Sequence, residues 1–481
     1  MKDFVERALD RATGQGAAYA DVRIVRQESQ HVLVKNGTVE QVGLGEEAGF
    51  GIRALVDGAW GFAASYRLNP QQVDEVAGEA VRLARASARV HERPVQLGEP
   101  VRSRGRYATP LEIDPFGVSL DDKIAMLLRC DEAMRRLPQI SIAMGNLVCV
   151  RDVKTFANTE GAYTEQEIVQ TGGGLAATAT GSGEVQRRSY PSGGGRNQVC
   201  AGYEVLLRQD FPGNAQRIAE EAAALLTAKQ CPPGVTTVIL EGSQLALQVH
   251  ESCGHPIELD RVFGTEAAFA GTSFLTPDKL GSFMYGSELV NLTMDATIPG
   301  GLGTFGWDDE GVPAQRAAAV EHGRFVGYLT DRESAARLGL PQSTGAARAS
   351  GWNRIPLVRM TNVSLEPGDS TLEEMIATTD DGIYMATNRS WSIDDRRLNF
   401  QFGTEMAWEI KNGKRGALLK NATYTGITPE FWRSCDAIGN RSEWVVWGTP
   451  NCGKGQPSQS MHTGHGAAPA RFRNVRVGVA R

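Results

Sequence analysis

The sequence predicts an α+β protein built from an N-terminal α/β sandwich with helices on one face of a sheet, a middle α/β region, and a large C-terminal β-rich domain. Three observations predict it. An amphipathic helix pattern opens the chain, period-two stretches separated by hairpin signals follow it, and from Gly234 onward strand patterns dominate. The 55 glycines fit the many tight turns that extensive antiparallel sheet requires.

In the first segment Phe4, Val5, Ala8, Leu9 and Ala12 recur at helical spacing, and the stretch Gly14 to Gly16 supplies the stop. Strands are expected from Asp21, at Asn36-Gly37 and Asp57-Gly58 as hairpin turns, and over Gly49 to Ala64. A second helix near Pro70 to Ala86 presents Val73, Val76, Ala77, Ala80, Val81 and Leu83 on one side. Gly98 to Pro115 is rich in Pro, Gly and Arg and reads as a connector. Beyond it come a helix over Leu120 to Leu137, short strands around Ile140 to Gly145 and Val148 to Phe156, and a turn at Asn158 to Gly161. The run Ser192-Gly-Gly-Gly195 interrupts the strand pattern, and Ala215 to Lys229 returns to helix. These breaks divide the chain into residues 1–97, 98–230 and 231–481.

A chain of 481 residues is long enough for about three average domains and for large cores without disulfide staples. Its 50 basic and 56 acidic side chains give a net charge of −6, and no stretch concentrates Lys and Arg, which argues against nucleic acid as a partner. The N-terminus has no apolar core of signal-peptide type and no apolar run reaches membrane-spanning length, so a cytoplasmic protein without membrane contact is expected. The 7 cysteines, odd in number and scattered, suit reduced thiols or metal ligands better than a disulfide framework.

The chemistry concentrates in His250-Glu-Ser-Cys-Gly-His255-Pro256. A metallopeptidase needs two neutral imidazoles on the metal and a carboxylate, not itself a ligand, that takes a proton from the attacking water. His250 and His255 can be the pair and Glu251 the carboxylate. Histidines four apart differ by about 40° around an α-helix, whereas five apart differ by about 140°. The extra residue must therefore be absorbed by a helix end or a bulge, for which Gly254 and Pro256 provide the means. The competing reading is a capped helix end with two hydrogen-bonded histidines.

A catalytic zinc needs a third protein donor. Cys452, read as lying in the polar turn Thr449-Pro-Asn-Cys452-Gly-Lys-Gly, is the candidate, with His462 and His465 as competitors or plain loop residues. Cys253 is expected to be a packed neighbour of the site, and the other five cysteines to be buried apolar residues. The acidic turn Asp308-Asp-Glu310 could border a substrate groove or be solvated surface. Arg332, Arg359 and Arg396 could hold a substrate carboxylate or make structural ion pairs.

With these residues in view, the chain resembles the TldD branch of the TldD/PmbA peptidase family, also called modulators of DNA gyrase. The resemblance rests on Lys35-Asn-Gly37, Gly49-Phe-Gly-Ile-Arg53 and Gly58-Ala-Trp-Gly near the start. Later it rests on the His250 segment, Asp308-Asp-Glu-Gly311, Tyr328-Leu-Thr-Asp-Arg332, Arg359-Met-Thr-Asn362, Trp391-Ser-Ile-Asp-Asp-Arg396, Phe400-Gln-Phe-Gly403 and Cys452-Gly-Lys-Gly-Gln456. It implies that the C-terminal domain carries a zinc site with His250, His255 and Cys452 as ligands and Glu251 as general base. It also implies cleavage of unfolded or short polypeptides, and pairing as a homodimer or with a PmbA-like paralogue. The chain departs from the family at Ser460 to His465, which is richer in histidine. The rival functions are a zinc amidase acting on a small molecule and a scaffold subunit with a structural metal.

Overall fold

The computed structural model describes residues 1–181 and 183–478. Helix α1 (Lys2–Gly14) leads into β1 (Tyr19–Lys35), β2 (Thr38–Val56) and β3 (Ala59–Ser65), joined by turns at Asn36-Gly37 and Asp57-Gly58 in which all four residues take positive φ. Then come α2 (Pro70–Ser87), β4 (Arg104–Ala108), α3 (Leu120–Arg135), β5 (Ile140–Asn158), β6 (Tyr163–Gly181), β7 (Glu184–Tyr190), β8 (Asn197–Val199), α4 (Glu204–Gln209) and α5 (Phe211–Thr227). The strands form one eight-stranded sheet in the order β3-β2-β1-β5-β6-β4, with β7 and β8 also on β6.

Period-two geometry explains how this sheet is covered. Val22 and Ile24 reach the core under α1 and α2, and Val32 and Val34 reach the core under α3 and α5, so the even-numbered side of β1 faces the helices at both ends. The odd-numbered side faces the rest of the molecule: Arg23 donates to the Arg354 carbonyl at 2.5 Å, and Asp21 accepts from Arg53.

The two short strands expected between Ile140 and Phe156 are one strand, β5. Gly145 does not break it. A Cβ there would meet Leu127 at 3.0 Å, so the glycine allows α3 to lie close against the sheet.

The C-terminal part holds β9 (Lys229–Gln230), β10 (Gly234–Leu240), β11 (Leu292–Asp295), β12 (Arg316–Glu321), β13 (Arg324–Phe325), β14 (Ala347–Arg348), β15 (Leu357–Val358) and β16 (Val363–Leu365). It continues with β17 (Asp381–Ile393), β18 (Asn399–Lys411), β19 (Lys414–Lys420), β20 (Thr423–Ile427), β21 (Cys435–Ile438), β22 (Val445–Lys454), β23 (Gln459–Ala467) and β24 (Ala470–Val477). The main sheet runs β17-β10-β24-β20-β18-β19-β9, and because β17 also pairs with β18, strands β17, β10, β24, β20 and β18 close into a ring. Closure leaves the strands of the ring without free edges, and Phe402, Tyr424, Phe431, Trp432 and Phe472 pack in the core of this part. Among the described residues no helix is long and apolar enough to cross a membrane.

The acidic turn does not border the cavity at the His250 segment, and it is not solvated surface. Asp308, Asp309 and Glu310 are buried; Asp308 accepts backbone N–H groups of Glu310, Val312 and Ala347, while Asp309 pairs with Arg23 and Lys154 and Glu310 with Arg53. Asp309 and Glu310 are thus paired across to the first sheet and Asp308 is held by backbone donors, which is how buried carboxylates are tolerated. Arg332 is likewise structural, bonded to Glu160 at 2.9 Å and to the carbonyls of Leu97 and Glu99. Arg396 is exposed.

One carboxylate beside this network is held unfavourably. Burial, with Glu310 and Asp260 nearby, pushes Asp331 from an ordinary 3.8 up to about 7, although its side chain caps the helix Arg332–Leu338 through the Ser334 N–H. The unfolded chain therefore ionises first as pH rises, so Asp331 removes stability across the window from about 4 to about 7 and no more above it. Asp331→Asn keeps a capping oxygen. It is expected to raise the melting temperature at pH 7.5 by several degrees and to leave it nearly unchanged at pH 3.5, as read by calorimetry at the two pH values.

Candidate metal centre

Helix α6 (Gly242–Val249) starts at Glu241, whose carboxylate accepts the Gln244 N–H, and it is buried along most of its length. It runs directly into one π-helical turn, His250–Gly254, followed by a 3₁₀ turn, His255–Ile257. The His255 N–H donates to the His250 carbonyl, so residues five apart stack and the histidine spacing is accommodated by a bulge. His255 keeps helical angles (φ −64°, ψ −41°), so Pro256 does not deflect it as the sequence suggested. Gly254 is needed for another reason: a Cβ there would stand 2.1 Å from the Met360 sulfur.

Cys452 lies in strand β22, not in a turn. It is paired with Met461 of β23 just past a bulge between Thr449 and Cys452. Buried Arg359 holds this strand by donating to the carbonyls of Cys452, at 2.5 Å, and Gln459, at 3.3 Å, and so has a structural role.

The ligand atoms of His250, His255 and Cys452 all lie within 4.8 Å of one another, and all three residues are buried. Their surroundings fix which ring nitrogens are free. His465 Nδ1 lies 2.9 Å from the Val363 carbonyl, which only accepts, so that nitrogen carries the proton and Nε2 is the acceptor. His250 Nδ1, 2.7 Å from His465 Nε2, must then be the donor, which leaves His250 Nε2 with a free lone pair. His255 Nδ1 sits 2.8 Å from the Glu258 carboxylate, and its Nε2 is 3.6 Å from Cys452 Sγ. Lys454 in turn stands 3.4 Å from Glu258 and 2.6 Å from Asp260.

Burial lowers the pKa of His250 and takes that of His255 well below its ordinary value, so both imidazoles are neutral. Burial opposes ionisation of Cys452, yet the thiol sits below its usual range, a shift to which the buried Arg359 guanidinium contributes. Two neutral nitrogen lone pairs and an acidified sulfur converging at these distances form a donor set that fits a borderline-soft divalent cation.

Glu251 is outside that group. Its Oε2 accepts from Arg397 Nη1 at 2.7 Å, a partner that sequence reasoning missed. Arg397 adjoins the Trp391 to Arg396 stretch, and its φ of +62°, rare for a residue other than glycine, is a strain signal visible only in three dimensions. His465 is drawn to the site as the partner of His250, outside the convergent group, whereas the ring of His462 turns away to bond Gln170. Cys253 is buried in the core, as are the other cysteines away from the metal group. His250, Glu251, His255, Arg397 and Cys452 border a cavity of about 310 Å³, walled by Ser192, Asn388, Trp391 and Trp447.

Comparison with known proteins assigns the chain a family. Residues 233–478 match the family model described as the PmbA/TldA metallopeptidase C-terminal domain, residues 20–84 match domain 1, and residues 113–230 the central domain. A metalloprotease of Methanocaldococcus jannaschii is 30% identical over 455 residues, covering 94% of this chain and 95% of its own. A metalloprotease of Methanothermobacter thermautotrophicus is 29% identical over 460 residues, covering 96% and 95%. In fold, the crystal structure of a Thermotoga maritima protein described as a modulator of DNA gyrase aligns with a TM-score of 0.78 at 20% identity, covering 99% of this chain and 100% of its own. TldE from Thermococcus kodakarensis aligns at 0.75 and 17%, covering 98% and 99%. With most of its length covered by three family models and by a relative 30% identical over 94% of it, the chain belongs to the PmbA/TldD metallopeptidase family.

Proposed function

We propose that this chain is a zinc-dependent peptidase that hydrolyses peptide bonds in unfolded or short polypeptides, with His250, His255 and Cys452 as the metal ligands and Glu251 as the general base. The observation that carries this reading is the convergence of two imidazoles and a thiol within 4.8 Å at a cavity whose one carboxylate stands outside the ligand group. A closed structural zinc site uses four protein donors; among the described residues this group has three, which supports a catalytic over a structural metal.

A zinc ion held there would supply Lewis acidity toward the peptide carbonyl and acidify the attacking water. Arg397 engages Oε2 of Glu251 and fixes its rotamer, so Oε1 is the atom that takes the proton from water and later returns it to the departing amine. His465 and Glu258 hold the two imidazoles in the orientation that keeps Nε2 available. Strand β22 brings Thr449, Asn451 and Gly453 to the cavity wall beside Cys452. Its main-chain groups are suited to an extended peptide, and a folded substrate does not fit a space of this size. Pairing as a homodimer or with a PmbA-like paralogue belongs to the same reading, supported by the fold shared with TldE.

The test is metal content and turnover measured together. Purified protein is expected to carry about one zinc per chain and to cleave an unfolded protein such as reduced casein. Chelation should stop cleavage and added zinc restore it. Full activity in metal-free protein would end this reading.

A further inference from the structure

The cavity contains one charged side chain that this chemistry does not use. Arg196 lines it at the end of the glycine run Ser192 to Gly195. Its carbonyl accepts from the Ser192 hydroxyl, but among the described residues its guanidinium has neither a hydrogen-bond partner nor an ion pair. Burial and the neighbouring Arg187 lower its pKa, and no carboxylate acts in the opposite sense. The cavity's one carboxylate, Glu251, is already taken by Arg397. Three deeply buried arginines are matched by carboxylates, Arg53 with Asp21 and Glu310, Arg188 with Glu405 and Arg261 with Glu266, and buried Arg348 and Arg359 by backbone carbonyls; among the described residues Arg187, outside the cavity lining, shares with Arg196 the lack of a partner.

The segment that presents Arg196 is held in place. A Cβ on Gly193 would stand 2.5 Å from the Asn388 carbonyl, and one on Gly195 would stand 2.6 Å from the Leu175 carbonyl. The Asn146 amide donates to the Gly195 carbonyl at 2.8 Å. Glycines are thus required because the segment is pressed between β6 and β17, and Arg196 folds back over Gly194, where a Cβ would be 3.5 Å from its Nε. Arg196 is half-buried at the cavity wall with its charge uncompensated, and a carboxylate, which matches the planar fork of a guanidinium, is the ligand that such a charge favours.

We propose that Arg196 binds a carboxylate of the peptide substrate and gives the site a preference for a negative charge close to the scissile bond. The charge is either the peptide's terminal α-carboxylate or an Asp or Glu side chain, and a cavity of about 310 Å³ places it within a few residues of the cleaved bond. The inference rests on the peptidase reading above and deepens it by naming the substrate class.

The experiment uses zinc-loaded protein and two pairs of short peptides: a free C-terminal acid against its carboxamide, and an internal Glu against Gln. The charged member of at least one pair is expected to be cleaved about tenfold better or more in kcat/KM, and the pair that responds identifies the source of the charge. Arg196→Gln should collapse that ratio toward one, chiefly by raising KM for the charged peptide, with zinc content equal to the parent's, and Arg196→Lys should keep part of the ratio. Calorimetric binding of the same pair to Glu251→Gln protein should show the same preference without turnover. Equal treatment of both pairs by the parent, or an unchanged ratio in Arg196→Gln, overturns the inference while leaving the peptidase reading standing. Failure of the zinc-loaded parent to cleave any peptide removes both.

Discussion

Glu251→Gln is expected to keep its zinc and lose about a thousandfold or more in kcat, as determined by elemental analysis beside peptide turnover. The carboxamide can still accept the Arg397 hydrogen bond now made to Oε2, so the side chain stays in place. It cannot take a proton from water. Because Glu251 lies outside the convergent group, the metal has no reason to leave. Cleavage at the parental rate in this variant would remove Glu251 from the mechanism and reopen the choice of base among groups bordering the cavity.

Cys452→Ala is expected to have the largest effect on metal affinity, since it removes a donor and leaves two imidazoles that bind zinc weakly by themselves. Titration against a chelator of known affinity should show a loss well beyond the roughly 10–100-fold that a change behind a ligand produces, with turnover lost in parallel. His465→Leu supplies the comparison. It removes the acceptor that keeps His250 Nδ1 protonated and Nε2 free, and its expected cost is that smaller 10–100-fold range. The two variants separate a ligand from a residue that orients one. Equal loss in both would make His465 a donor in its own right, and no loss in Cys452→Ala would exclude the thiol.

The helices and most strands of the first half were readable because each has a period: Val73, Val76, Ala77, Ala80 and Val81 do form the buried side of α2, although Ala84 completes it and Leu83, expected there, is only half-buried. The bulge between His250 and His255 was also readable, since five-residue spacing on a regular helix is geometrically inconsistent with a shared target. Errors came where a local signal had a distant cause. Gly145 looked like a strand break and serves helix packing, and the acidic turn looked like surface because Arg23, Arg53 and Lys154 lie far away in sequence. Cys452 looked like a turn residue because Pro and Gly surround it, although a bulged strand accommodates both.

By itself the sequence determined the fold class and a short segment pairing two histidines with a carboxylate, because periodicity and spacing are properties of neighbouring residues, while the family was legible through the resemblance of its motifs. Only the tertiary structure decided that a thiol 197 residues from His255 comes to 3.6 Å from its ring, that His465 backs His250, and that Arg397 rather than Arg396 meets Glu251. Those pairings are set by how the closed ring of strands and the β22–β23 ribbon bring remote segments onto one buried helix end, and no local pattern encodes a distance across the chain.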